Sequence, residues 1–199
     1  MTSGGVGTLR SRYTNRMVGR PGCLRGLTVS DVDETILVQE GGQLLEFSYT
    51  DMLCYAGPYS PAGVASAFKV MQRAFAALSP NQPPPRRSVV IRTAFRGPGA
   101  RDGFEAVTRA VTDGRYTVDL ALTRPDRGRL LESFVFQVSI TGRVATLLLR
   151  PGFVTGEFID LAGKSDRSQA EEAHLDQLKA DLAQRVLAAP AEDVYDVAD

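Results

Sequence analysis

Two carboxylates two residues apart are the first groups in the chain whose spacing suggests chemistry: Asp31-Val32-Asp33-Glu34-Thr35. At the tip of a buried strand, such a pair can divide phosphoryl-transfer work. One carboxylate can attack phosphorus or hold a divalent cation while its neighbour moves the proton. The strand ahead of it, Leu27-Thr28-Val29-Ser30, is a weak one, and the other reading is a solvated turn entering a hairpin. A cation for the phosphoryl group and further acids would have to come from later in the chain. Lys164 can be nominated, but Asp193 and Asp196 follow a proline close to the end of the sequence. A second candidate is Gly97-Pro98-Gly99-Ala100-Arg101-Asp102. It lies between an expected strand and an expected helix, where free N–H groups can hold an anion and Arg96 and Arg101 would assist. It is neither a P-loop nor a dinucleotide fingerprint, since G-K-[ST] and G-x-G-x-x-G are both absent. Its other reading is a tight turn with an ordinary cap. Cys54 has no histidine near it in sequence to act as base, so it reads as a small core residue rather than a catalytic thiolate. His174 stands in a charged stretch, Glu171-Glu172-Ala173-His174, and reads as exposed.

Scarcity narrows the field further. The 199 residues contain one His and two Cys, Cys23 and Cys54. A zinc site made of His and Cys needs four ligands, and two Cys allow one disulfide at most. Lys+Arg and Asp+Glu are both 23, so the chain lacks the basic surplus of a general nucleic-acid binder. The zero net charge is unevenly spread. Residues 1–30 carry five Arg and no acid, residues 86–150 twelve Arg against six acids, and residues 166–199 nine acids against three bases. The basic middle and the acidic tail can pair, within one protomer or across a dimer, or can both be solvated faces. No apolar run reaches membrane-spanning length and no secretory h-region is present, so a cytoplasmic protein with reduced thiols and no membrane partner is expected.

The elements that must position these groups follow from periodicity and turn chemistry. Residues 1–26, with six Gly and five Arg, read as a flexible arm, and residues 27–199 as a single domain. Residues 35–39 and 43–49 suggest a hairpin across Glu40-Gly41-Gly42. A short helix over 51–55, capped by Ser48 or Thr50, ends at Gly57-Pro58-Tyr59. Ser60-Pro61 then starts the clearest helix, to about Leu78, with small residues crowding its first turns. Strands are expected over 88–95 and 116–122 and helices over 101–112, 158–162 and 168–188. The strongest hairpin pairs 131–140 with 143–149. Because helices and hairpins do not alternate as βαβ, the fold class is α+β: two layers, a mostly antiparallel sheet packed against helices.

Three blocks together resemble the FmdE-like family, named for a component of formylmethanofuran dehydrogenase. They are Tyr55-Ala56-Gly57-Pro58-Tyr59-Ser60-Pro61-Ala62-Gly63 running into Phe68-Lys69; Gly99-Ala100-Arg101-Asp102-Gly103-Phe104-Glu105 continuing to Thr108 and Gly114-Arg115; and a closing helix, Pro190, an acidic pair, Tyr195 and Val197. In matching order they cover roughly residues 44–197. The resemblance implies the fold, a pocket and a homodimer. The metal is not carried over: the family's ligand positions fall on Ala56, Pro58, Ser60 and Gly99, none of which offers an imidazole or thiolate. No metal and no cofactor are therefore expected.

The pocket is expected where the helix start at Ser60 faces the turn at residues 97–102. Tyr55, Ser60, Lys69 and Asp102 are the candidates for acid–base work there. Gly57, Arg101, Thr108 and Arg115 are the candidates for binding. Asp102 is expected to tie the helix start to Lys69 or Arg115. The expected function is binding, or conversion, of a small anionic or carbonyl-bearing metabolite in one-carbon or cofactor metabolism. The alternatives are a Mg²⁺-dependent phosphatase, since D-x-D-x-T resembles the haloacid-dehalogenase-like signature at Asp31 and Asp33, and a non-catalytic structural dimer.

Overall fold

The computed structural model describes residues 34–198. The expected arm over 1–26, Cys23, and the Asp31/Asp33 pair with its preceding strand lie outside them. A hairpin comes first: β1 (Thr35–Glu40) and β2 (Gln43–Ser48) pair antiparallel from Thr35↔Ser48 to Glu40↔Gln43. Gly41 and Gly42 make the turn at φ +57° and +76°, a left-handed region that glycine enters without steric cost. α1 (Tyr49–Ala56) starts immediately, two residues ahead of expectation, because Ser48 and Asp51 close a capping box. The Ser48 hydroxyl accepts from the Asp51 N–H at 3.1 Å, and the Asp51 carboxylate accepts from the Ser48 N–H at 3.0 Å.

α2 (Pro61–Leu78) is the central element. Thirteen of its 18 residues are buried, so it is enclosed on nearly every side rather than amphipathic. β3 (Val89–Thr93) leads to α3 (Pro98–Thr108), which begins and ends earlier than the expected 101–112. Pro98 supplies the first helical position, and Arg109 leaves the helix at φ +56°. β4 (Tyr116–Val118) is shorter than expected. The Asp119 carboxylate accepts from the Ala121 N–H at 3.0 Å and opens a 3-10 turn at 120–122. β5 (Val135–Ile140) starts four residues late because residues 131–134 form a turn, with the Phe134 N–H donating to the Leu131 carbonyl at 3.0 Å. β6 (Arg143–Leu149) completes the expected hairpin. α4 (Gly156–Gly163), α5 (Gln169–Ala188), the single turn α6 (Ala191–Val194) and β7 (Tyr195–Ala198) finish the chain, the last strand having no counterpart in the sequence reading.

The larger sheet runs β4-β3-β5-β6-β7, with only β3–β4 parallel. Its strands alternate: Val89, Ile91 and Thr93 are buried, while Val90 and Arg92 face outward. α2 packs on the inner face against β5, β6 and β7, with α3 and α5 beside it. This is the expected two-layer α+β fold.

Candidate functional site

The N-termini of α2 and α3 meet. Gly63 lies so close to α3 that a Cβ there would sit 2.7 Å from the Ala100 nitrogen. A Cβ on Gly99 would run into the Ser60 carbonyl. Neither helix start is capped by a side chain. Ser60 and Gly97 are the N-cap residues, neither makes a side-chain cap bond, and a proline follows each. Two positive helix ends thus point into one region with their first amide donors free of side-chain caps.

That region is a cavity of about 300 Å³. Ala62, Gly63 and Ser66 of α2 form its floor, and the turn from Phe95 to Gly99 forms one wall. Phe134 stands on another side, and Phe158, Ile159 and Ala162 of α4 face Leu182 and Lys179 of α5. Arg96 is exposed at the rim, and among the described residues no carboxylate lies within ion-pair distance of it. Lys179, also at the rim, is already paired with Asp176 at 2.9 Å. On the floor, Ser66 is 3% exposed. Beneath it lies Tyr195, fully buried and set edge-on against Phe136 with ring centres 5.8 Å apart. The Tyr195 hydroxyl has no hydrogen-bond partner among the described residues. Burial pushes its pKa far above the usual phenol range. The Ser66 hydroxyl beside it pulls the other way, though the two are not aligned as a hydrogen bond.

Of the residues nominated from sequence, the structure brings Ser60 and the turn at Gly97–Gly99 to this cavity. The others stand elsewhere. Lys69 is fully buried in mid-α2, where its ammonium donates to Glu34 at 2.5 Å. Tyr55 is half exposed on α1, and Gly57 closes that helix at φ +82° by donating its N–H to the Leu53 carbonyl at 2.8 Å. Arg101 and Asp102 pair with each other at 3.1 Å, so Asp102 ties the helix start to neither Lys69 nor Arg115. The Thr108 hydroxyl donates to the Phe104 carbonyl at 2.6 Å and accepts from the Ala110 N–H at 3.2 Å. Arg115 donates to the carbonyls of Val89 and Thr108 and pairs with Asp113 at 2.9 Å, tying β3 to the end of α3. Cys54 is half-buried in α1, and His174 is exposed, 2.7 Å from the Glu157 carboxylate.

Arg96 was legible as an anion-binding residue beside a helix start. Ser66 and Tyr195 were not: one looked like a small packing residue, and the other sits 129 positions away on a strand that no local pattern announces. Among the described residues, no group of three or more His, Cys, Asp or Glu gathers where a metal could be held. No described helix is long and apolar enough to cross a membrane. No protein-family model matches this sequence, and no curated protein matches it.

Proposed function

We propose that this protein binds a small anionic or carbonyl-bearing organic molecule in the cavity between α2, α3, α4 and α5, without a metal. The observation that carries the reading is the convergence, on an apolar-walled cavity, of two helix N-termini without side-chain caps and an arginine with no carboxylate partner among the described residues. Helix N-termini favour negative charge, and a dry wall strengthens each such interaction. Tyr55, Lys69 and Asp102 do not line the cavity, which favours a binding role over acid–base catalysis by that set. The ordered likeness to the FmdE-like family supports a divergent member in which the metal ligands have been replaced. A link to one-carbon or cofactor metabolism, a cytoplasmic setting and a homodimer all rest on that likeness and on composition. Sedimentation velocity reads the dimer directly. The phosphatase alternative needs strand ends in a doubly wound parallel sheet, and the described sheet has one parallel pair.

The test is thermal unfolding of the full chain with a panel of small carboxylates and neutral carbonyl compounds, read against Ala162→Trp. Ala162 is exposed and lines the cavity, so the indole fills the space and leaves the core alone. A ligand at 100 times its Kd stabilises by about 2.7 kcal/mol. Such a shift should appear in the native chain and vanish in Ala162→Trp. A shift that survives the substitution places binding elsewhere and overturns the reading.

A further inference from the structure

The first hairpin has an edge that faces a groove. The two-residue turn at Gly41-Gly42 makes Glu40 and Gln43 the first hydrogen-bonded pair, so Val38 and Ile36 also direct their backbone groups to β2. Gln39, Leu37 and Thr35 turn theirs the other way. Gln39 confirms the parity: its N–H donates to the Pro84 carbonyl at 2.9 Å, and the chain at Pro85 runs parallel to it. Among the described residues, the backbone N–H and C=O of Leu37 and Thr35 make no such bond on that side. The same stretch of β1 lines a groove of about 460 Å³, whose other walls are Gln72, Phe75 and Ala76 of α2 and residues 79–84. Among the described residues, no Asp, Glu, Lys or Arg lines it.

We infer that this groove docks an extended, uncharged peptide segment of a partner protein, which adds a third strand to the hairpin along Thr35, Ile36 and Leu37. A peptide backbone offers donors and acceptors at the two-residue repeat of a strand edge, which a small rigid ligand does not. The protein's own residues 84 and 85 already sit on the next position of this edge, at Gln39. The site therefore has a closed end, and the incoming segment pairs with Thr35 and Leu37. Its side chain beside Ile36 shares the buried face of that residue and is apolar. The flanking side chains share the more exposed face of Thr35 and Leu37 and are polar. An uncharged lining selects an uncharged segment, because a charged side chain would lose hydration there and find no counterion.

The probe is the acetylated, amidated pentapeptide TVTVT, titrated into the full chain while backbone amide exchange is followed by NMR. Four backbone hydrogen bonds place its Kd at about 1 mM. In the free protein the Thr35 and Leu37 amides should exchange fast and the Gln39 amide slowly; saturating peptide should slow the first two by about tenfold. Leu37→Pro removes an edge donor that β2 does not use and should weaken binding about tenfold. Ala76→Trp fills the groove from an exposed position of α2 and should abolish binding, so the outcome does not hang on the proline variant folding. Ala162→Trp, in the separate cavity, should change nothing. A strand turns every second amide toward its neighbour. Of two peptides, one N-methylated on its Thr amides and one on its Val amides, one should keep binding and the other lose it. Equal behaviour of the two overturns the inference, as does binding that Ala76→Trp leaves intact or no binding at about 10 mM, ten times the expected Kd. Slow exchange at Thr35 and Leu37 without peptide also overturns it: at every protein concentration, the chain covers its own edge; only at high concentration, a second copy does.

Discussion

Lys69 was expected to touch a ligand, and its chemistry is instead used up inside the protein. Its ammonium is fully buried against a Glu34 carboxylate that keeps contact with water, and Gln72 donates to the same oxygen at 3.1 Å. Burial would raise the Glu34 pKa, but the Lys69 and Gln72 donors outweigh it and hold the group below the usual carboxylate value. The partners are therefore unequal. Glu34→Ala strands a buried cation and should cost about 3 kcal/mol, while Lys69→Met keeps the volume, removes the charge and should cost less. Urea unfolding of both variants decides it; a costlier Lys69→Met would mean that the ammonium does more than pair. Glu105 is held in a similar way. Burial works against its charge, but the Thr112 hydroxyl and the N–H groups of Thr112 and Val111 hold its pKa below the ordinary 4.5. A folded value below the unfolded one stabilises the protein above about pH 4.5, and that contribution is lost as pH falls through the lowered value. The unfolding temperature should fall as pH drops below about 4.5, and Glu105→Gln should flatten the drop at a cost of about 1–2 kcal/mol at neutral pH. Neither carboxylate role was legible, since each depends on a partner that only the folded turn or the hairpin brings near.

At the scale of elements, the crossing of α2 and α3 both holds the fold and shapes the site. Gly63, Gly99 and Gly103 allow two backbones to touch, and the same closeness sets both helix starts at one cavity. Gly63→Ala presses a methyl group onto the Ala100 nitrogen, which is backbone and has little room to move, so it should destabilise by about 1–3 kcal/mol. It should also weaken any cavity ligand, because relief of the clash parts the two N-termini. Equal binding by a destabilised Gly63→Ala would separate packing from the site. The start of α2 was legible from Ser60-Pro61, because proline at the first helical position is a local rule. The start of α3 was not, although Gly97-Pro98 offers the same kind of signal, because the apolar side reads most clearly from Phe104 onward. β7 has only four residues and gains its place by pairing Tyr195 with Leu149 across a long sequence gap, a tertiary effect outside the reach of any local pattern.

Across the whole molecule, the uneven charge resolves partly into ion pairs that reach across the sequence, over 46 positions for Arg86–Glu40, 27 for Arg92–Asp119 and 31 for Arg129–Asp160. Arg86 and Arg87 hold Glu40 on the hairpin, Arg92 pairs with Asp119, and Arg129 with Asp160. Among the described residues, Arg150 joins the basic middle to the acidic tail, at 2.7 Å from Asp196 and 3.7 Å from Asp193. Arg96 stands outside this pattern, a cation with no carboxylate beside it, among the described residues, at the mouth of an apolar cavity. The donor chemistry of the site is equally lopsided. Where the resembling family places imidazole and thiolate, this chain has Ala56, Pro58, Ser60 and Gly99, and Gly99 is pressed against the Ser60 carbonyl with no room for a larger side chain. A soft metal has no ligand set there. Elemental analysis of protein dialysed against EDTA should therefore find zinc, nickel and iron all well below one per chain. The same dialysis should leave both the unfolding temperature and the affinity for a cavity carboxylate unchanged, because helix amides and a guanidinium need no metal to hold an anion. One tightly held metal per chain, with loss of binding on its removal, would overturn the metal-free reading while leaving the fold and the Gly63–Gly99 crossing as they stand.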